Sequence, residues 1–440
     1  MGDLRREIRP LLELAIPLVL GELGWMTMGV VDTMMVGRVG AEAMGGVSLG
    51  SMLFYAAAVF GMGVLLGLDP LVAQAFGAGR REECHRWLWT GLAMAAPLTV
   101  ALTAVVLALS ARLDLLGTHP AVRAEAGPYL RAITWSLAPL MVYTALRRYL
   151  QGMNIVRPVM YSLLSANVVN AAANWAFVFG NLGMPAMGAE GAGWATCVSR
   201  VYMAAVLAGA AAMHHGAELR KAIARMPSWS EYGRLLALGF PAAAQLVVEV
   251  GVFALTTVFV SRLSPGALAA HQVALSAASY SFMAPLGLGS AAAVRVGQAV
   301  GRGDRAGASA AGWGAILLGV AFMGLAGVFF LAAPRWIGRV FTNDAGVIEA
   351  AETLLALAAV WQLFDGAQGV ATGALRGAGN TRVAAVTHLG GYWMAGLPVG
   401  YWLCFRAGWG APGIWTGMCL ALVIIGVVLL GVWWRLMRVQ

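Results

Sequence analysis

The chain returns twelve times to an apolar run long enough to cross a bilayer, and that recurrence constrains its fold more than any motif. A hydrocarbon core about 30 Å thick needs roughly 20 apolar residues per helix. The runs span approximately 12–37, 46–78, 86–111, 122–150, 157–181, 190–214, 232–262, 270–301, 308–333, 346–376, 382–405 and 411–434. They are too long and continuous for the alternating strands of about ten residues that build a membrane barrel. Only 11% of the residues are charged, against about 25% in an ordinary soluble domain. The expected fold is all-α and integral to a membrane, with 12 transmembrane helices. The 57 glycines suit close packing of such helices.

The net charge of +9 does not point to nucleic acid, because the basic residues lie in short loops rather than on one soluble face. Twenty of the 29 Lys and Arg residues fall on the side that holds both termini, eight fall on the other, and Arg200 sits inside a run. The positive-inside rule then puts both termini in the cytoplasm. Cys84, Cys197, Cys404 and Cys419 form no C-x-x-C pair and read as reduced packing residues. The first run holds acids and no obvious cleavage site, so it reads as a membrane helix rather than a leader.

The two halves repeat. LLELAIP at 11–17 matches LLALGFP at 235–241, VGR at 36–38 matches VSR at 260–262, and VAQAFGAG at 72–79 matches VGQAVGRG at 296–303, all at an offset of 224. GAEG at 188–191 matches GAPG at 410–413 at an offset of 222. The reading is two six-helix bundles, 1–214 and 232–440, joined by a cytoplasmic linker at 215–231. With six helices each, the bundles share one orientation and are related by a pseudo-twofold axis along the membrane normal, which suits alternating access.

Five acids sit inside apolar runs: Glu22, Asp32, Asp69, Glu249 and Asp365. Such residues usually face a bundle interior or a watery cavity. Asp32 lies 15 residues after Pro17, about 22 Å along a helix, and reads either as an interfacial helix-end carboxylate or, preferentially, as a group that holds a proton or cation. Glu249 is eight residues past Pro241 and Asp365 is 11 before Arg376, so both come near mid-membrane in the same half. Two carboxylates meeting there must share a proton or hold a cation, with sodium a candidate. Glu22, ten residues before Asp32, fits a structural hydrogen bond or a functional role equally well. Asp69 is an interfacial acid or one arm of a salt-bridge gate with Arg295. Asn170 and Asn174 share a helix face and either orient Asp32 and its cation or bond between helices. His271 and His388 read as structural, with His271 kept as a site candidate.

The sequence holds no P-loop, HExxH, DDxxD-like cluster, GxSxG or TVGYG. That weakens ATP-driven pumping, membrane proteolysis, prenyl transfer and selective channel function.

Pro17 and Asp32 with 14 residues between them, then VGR, then Q-x-x-G-x-G at 74–79, together resemble the multidrug and toxic compound extrusion (MATE) family. So do VEVGVFA at 248–254, HQVALSAASYSFMAPLGLGSAAAVRVG at 271–297 and DGAQGVATGALRGAGNTR at 365–382. Acids in both halves resemble the NorM-like branch more than the DinF-like branch. The resemblance covers nearly the whole chain. It implies export of cationic, often aromatic drugs against inward protons or sodium ions. It places Asp32 on the family's first-helix aspartate, linked to proton coupling, Glu249 and Asp365 on its second-half cation-binding acids, and Asn170 and Asn174 on polar positions around Asp32. Trp361 departs from it, standing where some sodium-coupled members have a tyrosine; an indole offers sodium no oxygen.

The expectation is a multi-pass antiporter of the inner membrane, not an enzyme. It needs no cofactor beyond a coupling proton or sodium ion. Its partners are small organic cations and membrane lipid, with no nucleic acid, and nothing requires more than a monomer. The alternatives are a lipid-linked precursor flippase of related architecture, a membrane-embedded enzyme or a channel.

Overall fold

The computed structural model describes residues 2–116, 119–223 and 226–438. Residues 224 and 225, inside the expected 215–231 linker, lie outside the described residues, as do the chain ends at 1 and 439–440. The described residues form helices and turns with no strand. In chain order the helices are α1 (Gly2–Val36), α2 (Ala41–Leu65), α3 (Leu68–Gly77), α4 (Arg81–Ser110), α5 (Pro120–Thr134), α6 (Leu137–Gly152), α7 (Arg157–Phe179) and α8 (Ala189–Ile223). They continue as α9 (Trp229–Ser261), α10 (Pro265–Gly301), α11 (Arg305–Ala332), α12 (Pro334–Phe341), α13 (Ala345–Gly377), α14 (Arg382–His388), α15 (Leu397–Phe405) and α16 (Ala411–Arg438).

Among the described residues, nine helical stretches are long and apolar enough to cross a membrane, with α2 and α3 taken together. The other three apolar runs have local reasons to differ. The run at 122–150 divides into α5 and α6 at Trp135 and Ser136, where the Thr134 and Ser136 hydroxyls donate back to the Leu130 and Ile133 carbonyls at 2.5 Å. The run at 382–405 carries a π-helical segment, Leu389–Gly396, between α14 and α15. The run at 270–301 lies within the unbroken α10, where glycine, serine and His271 dilute its apolarity.

By contacts the chain forms two compact units, Leu20–Ala243 and Met1–Val19 with Ala244–Gln440. In the first, α7 packs along α8 and α2 along α5; in the second, α10 packs along α13, which also meets α11 and α16. The chain passes between units inside α1, two residues after Pro17, and inside α9, two residues after Pro241. These two points are 224 residues apart, the offset of the sequence repeat. A proline inside a helix removes a backbone hydrogen bond and lets the helix bend there.

The repeat is also written in the turns. Gly79 and Gly303, 224 apart, both take positive φ, 74° and 72°. Gly188 and Gly410, 222 apart, do so at 56° and 63°. A side chain is disfavoured in that conformation, so the chain keeps glycine at each. In the packed faces the demand on glycine is steric. A Cβ on Gly373 of α13 would lie 2.1 Å from the carbonyl oxygen of Gly289 on α10. Gly373→Val is therefore expected to destabilise the protein by about 1–3 kcal/mol or more through overpacking. Thermal unfolding in detergent checks this; a melting point equal to wild type would contradict close packing of α10 on α13.

Candidate functional site

In the unit Leu20–Ala243, α1 presents Asp32 to α7 and α8. Asn174 Nδ2 donates to Asp32 Oδ1 at 2.6 Å, and Thr196 Oγ1 donates to Oδ2 at 3.3 Å. Asn174 also bonds one turn back, to the Asn170 carbonyl at 3.0 Å and Asn170 Oδ1 at 3.2 Å. Helical spacing puts the two amides on one face, and both are fully buried. Asp32 itself is half-buried. Its bonding partners are all neutral, and no Lys or Arg nitrogen lies within 4 Å of it among the described residues.

In the other unit, Glu249 on α9 and Asp365 on α13 interact electrostatically across a set of amides. Gln368 Nε2, one turn after Asp365, donates to its Oδ1 at 3.0 Å. Gln245 stands one turn before Glu249 on the same helix. His388 on α14 stands between these amides: its Nε2 lies 2.9 Å from Gln368 Oε1 and 3.5 Å from Gln245 Nε2, and its Nδ1 lies 2.8 Å from the Ala384 carbonyl oxygen. Gln245, His388, Gln368 and Asp365 thus form one polar chain, and no Lys or Arg nitrogen lies within 4 Å of either carboxylate among the described residues.

The walls of this second group are aromatic. Trp361, one turn before Asp365, stacks on Phe253 at 5.7 Å and meets Trp415 at 4.9 Å. It is buried and brings no oxygen toward Asp365. A sodium ion here would have the two carboxylates and amide or backbone oxygens to use. His271 is fully engaged: Trp415 Nε1 donates to its Nδ1 at 3.0 Å, so the ring proton sits on Nε2 and reaches Thr257 Oγ1 at 3.1 Å. It holds α10 to α9 and α16 rather than facing either acid group.

The remaining intramembrane acids are paired. Glu22 is buried in an ion pair with Arg147 of α6. Asp69 lies 3.7 Å from the neighbouring Arg148. Arg295 Nε and Nη2 both donate to Glu7 Oε2, at 3.1 and 2.6 Å, within its own unit. The five acids therefore fall into two classes. Glu22 and Asp69 have an arginine within 4 Å, whereas among the described residues Asp32, Glu249 and Asp365 have none that close. Thr196, Gln245, Gln368 and His388 complete the second class and were not among the residues expected from sequence. Gln368 and Gln245 could have been found one turn from an acid on the same face; Thr196 and the bridging place of His388 had no signal in one dimension.

The MatE family profile matches the chain twice, over residues 17–176 and 241–402, with starts 224 residues apart. A probable multidrug resistance protein NorM from Mesorhizobium japonicum is 36% identical, covering 99% of this chain and 95% of its own. A multidrug resistance protein NorM from Burkholderia vietnamiensis is 35% identical over 94% of this chain and 91% of its own. In fold, the chain is similar to a eukaryotic MATE transporter, AtDTX14 (TM-score 0.89, 22% identity, 99% of this chain and 98% of that one). It is also similar to a multidrug resistance MATE family transporter in an outward-facing conformation (TM-score 0.89, 16% identity, 100% and 98%).

The two classes of acid differ in what they do for stability. Glu22→Gln leaves buried Arg147 without its partner and is expected to cost about 3–5 kcal/mol. Glu249→Gln relieves repulsion between two acids and is expected to be neutral or stabilising. Thermal unfolding of the two variants in detergent reads the difference; equal losses would contradict the division.

Proposed function

The chain belongs to the MatE family of multidrug transporters, and on that footing we propose that it is a secondary antiporter, exporting organic cations in exchange for inward protons or sodium ions. It is a transporter and not an enzyme. The observation that carries the reading is that, among the described residues, no Lys or Arg nitrogen lies within 4 Å of Asp32, Glu249 or Asp365, when the other two intramembrane acids have one. A carboxylate in hydrocarbon must be neutralised. Without an arginine in direct contact, the charge that a carboxylate takes up is exchangeable: a proton, a sodium ion or a drug cation. Loading one weakens the other, and that reciprocity is the coupling of an antiporter.

The amides and hydroxyl around the acids fit this task. Asn174 and Thr196 donate to Asp32 in its charged form and hold it ready for a proton or cation. In the second unit the Gln245–His388–Gln368 chain orients Glu249 and Asp365, and the Phe253, Trp361 and Trp415 rings supply flat apolar surface for an aromatic cation. The architecture proposed for the exchange is twelve membrane helices in two six-helix bundles related by an axis along the membrane normal, rocking about sites near mid-membrane. The broken runs at 122–150 and 382–405 and the diluted α10 complete the twelve. The bias of basic residues supports both termini in the cytoplasm of an inner-membrane protein. A flippase for phosphate-bearing lipid gains little support, because it calls for a cationic cavity, and of the two arginines buried among the described residues Arg147 is neutralised by Glu22, which leaves Arg200 alone.

Transport of ethidium in proteoliposomes under imposed proton or sodium gradients tests the reading. Wild type is expected to respond to at least one gradient. Asp32→Asn, Glu249→Gln and Asp365→Asn are each expected to lose gradient-driven uptake by tenfold or more, at about 1.4 kcal/mol per decade of coupling. Uptake indifferent to both gradients, or three fully active variants, would contradict it.

A further inference from the structure

Two arginines are buried among the described residues, Arg147 and Arg200. Arg147 has Glu22 against it. Arg200 of α8 has no carboxylate within 4 Å among the described residues. Its Nη1 donates to the Ser136 hydroxyl, and its guanidinium lies 4.7 Å from the Phe54 ring centre and 5.9 Å from that of Trp25. Rings and a hydroxyl solvate the cation but do not neutralise it. The charge that does so has to act through space.

The fold places one acid to serve. Arg200 follows Thr196 by one helical turn, about 6 Å along α8, and Thr196 donates to Asp32. Trp25, under the guanidinium, is on the same helix as Asp32, seven residues earlier and therefore on the same face. Asp32 and Arg200 interact electrostatically in this arrangement. The other titratable groups around them, Tyr55, Tyr129 and Cys197, are ordinarily neutral, and Tyr129 is bonded to Ser51 at 2.7 Å.

We propose that Arg200 is the countercharge of Asp32 and sets which cations that carboxylate accepts. It rests on the antiport reading, in which the family resemblance already links Asp32 to protons and the second-half acids to cations, and adds the residue that sets the difference. With Asp32 ionised, the pair is neutral overall. A proton, which bonds covalently to the carboxylate, still binds. A sodium ion or drug cation meets no net negative charge. The Glu249 and Asp365 group has no such arginine, carries two acids and attracts cations. Arg200 is thus a specificity-determining residue that reserves Asp32 for the proton.

The test is equilibrium binding of tetraphenylphosphonium to purified protein in detergent, without any gradient, in a Glu249→Gln, Asp365→Asn background that leaves Asp32 as the intramembrane acid lacking an arginine contact. Adding Arg200→Gln is expected to tighten binding about tenfold, the effect of removing one charge several ångströms away at an effective dielectric near 20. Arg200→Lys is expected to restore weak binding, and Asp32→Asn on top of Arg200→Gln to abolish the gain. Unchanged affinity in Arg200→Gln, or a gain that survives Asp32→Asn, overturns the proposal. A second readout needs no ligand. In the otherwise native chain, Asp32→Asn with Arg200→Gln is expected to melt above Asp32→Asn alone, and additive losses overturn the proposal equally. Neither measurement uses transport. A failed countercharge would leave gradient-driven export standing, and absent export would leave the binding result standing.

Discussion

An ionised carboxylate cannot stay bare in hydrocarbon, and the way each buried acid of this chain meets that constraint organises the rest. Glu22 and Asp69 meet it with the adjacent arginines Arg147 and Arg148 of one helix. These pairs are permanent features of the packing and cannot exchange their charge without leaving an arginine unpaired. Asp32 and Asp365 accept from hydroxyl and amide donors that orient the carboxylate, and on the proposed antiport reading these two and Glu249 leave their charge for a mobile ion. Both kinds of acid are equally unusual in an apolar run; only their partners separate scaffold from exchange site.

The backbone is arranged to let such sites change their surroundings. The chain crosses between its two compact units inside α1 and inside α9, in each case two residues beyond a proline. Helices interrupted at those points can bend without breaking a full complement of backbone bonds. Elsewhere the packing is tight: Gly289 and Gly373 bring α10 and α13 close enough that no side chain fits between them. Stiff helix pairs with bendable crossings are what a proposed alternating-access cycle requires.

The apolar runs made the helical, membrane-spanning class legible, and the offset of 224 made the repeat legible, down to the left-handed turns at Gly79 and Gly303. The acids were visible as well, because a charge stands out in a run of alanine and leucine. Their partners were not. Arg147 lies 125 residues from Glu22 and reads in one dimension as one of many loop-side basic residues. Arg295 reads as a gate partner for Asp69, and Glu7, the acid it is bonded to, lies 288 residues away in sequence. The division of the run at 122–150 and the π-helical segment at Leu389–Gly396 depend on local hydroxyl bonding and packing that hydropathy does not register. His388 read as an isolated imidazole because the two glutamines it joins come from helices far apart in sequence.

The central claim is that three carboxylates hold exchangeable charge. It is tested most directly by the ions released when a permanently charged drug cation binds to the purified protein in weakly buffered detergent solution. A pH indicator and a sodium electrode follow the release together. The account predicts that binding to wild type expels protons or sodium ions, and that neutralising Asp32, Glu249 and Asp365 together abolishes the release. Binding to wild type with no ion released, or release undiminished in the triple variant, would contradict it.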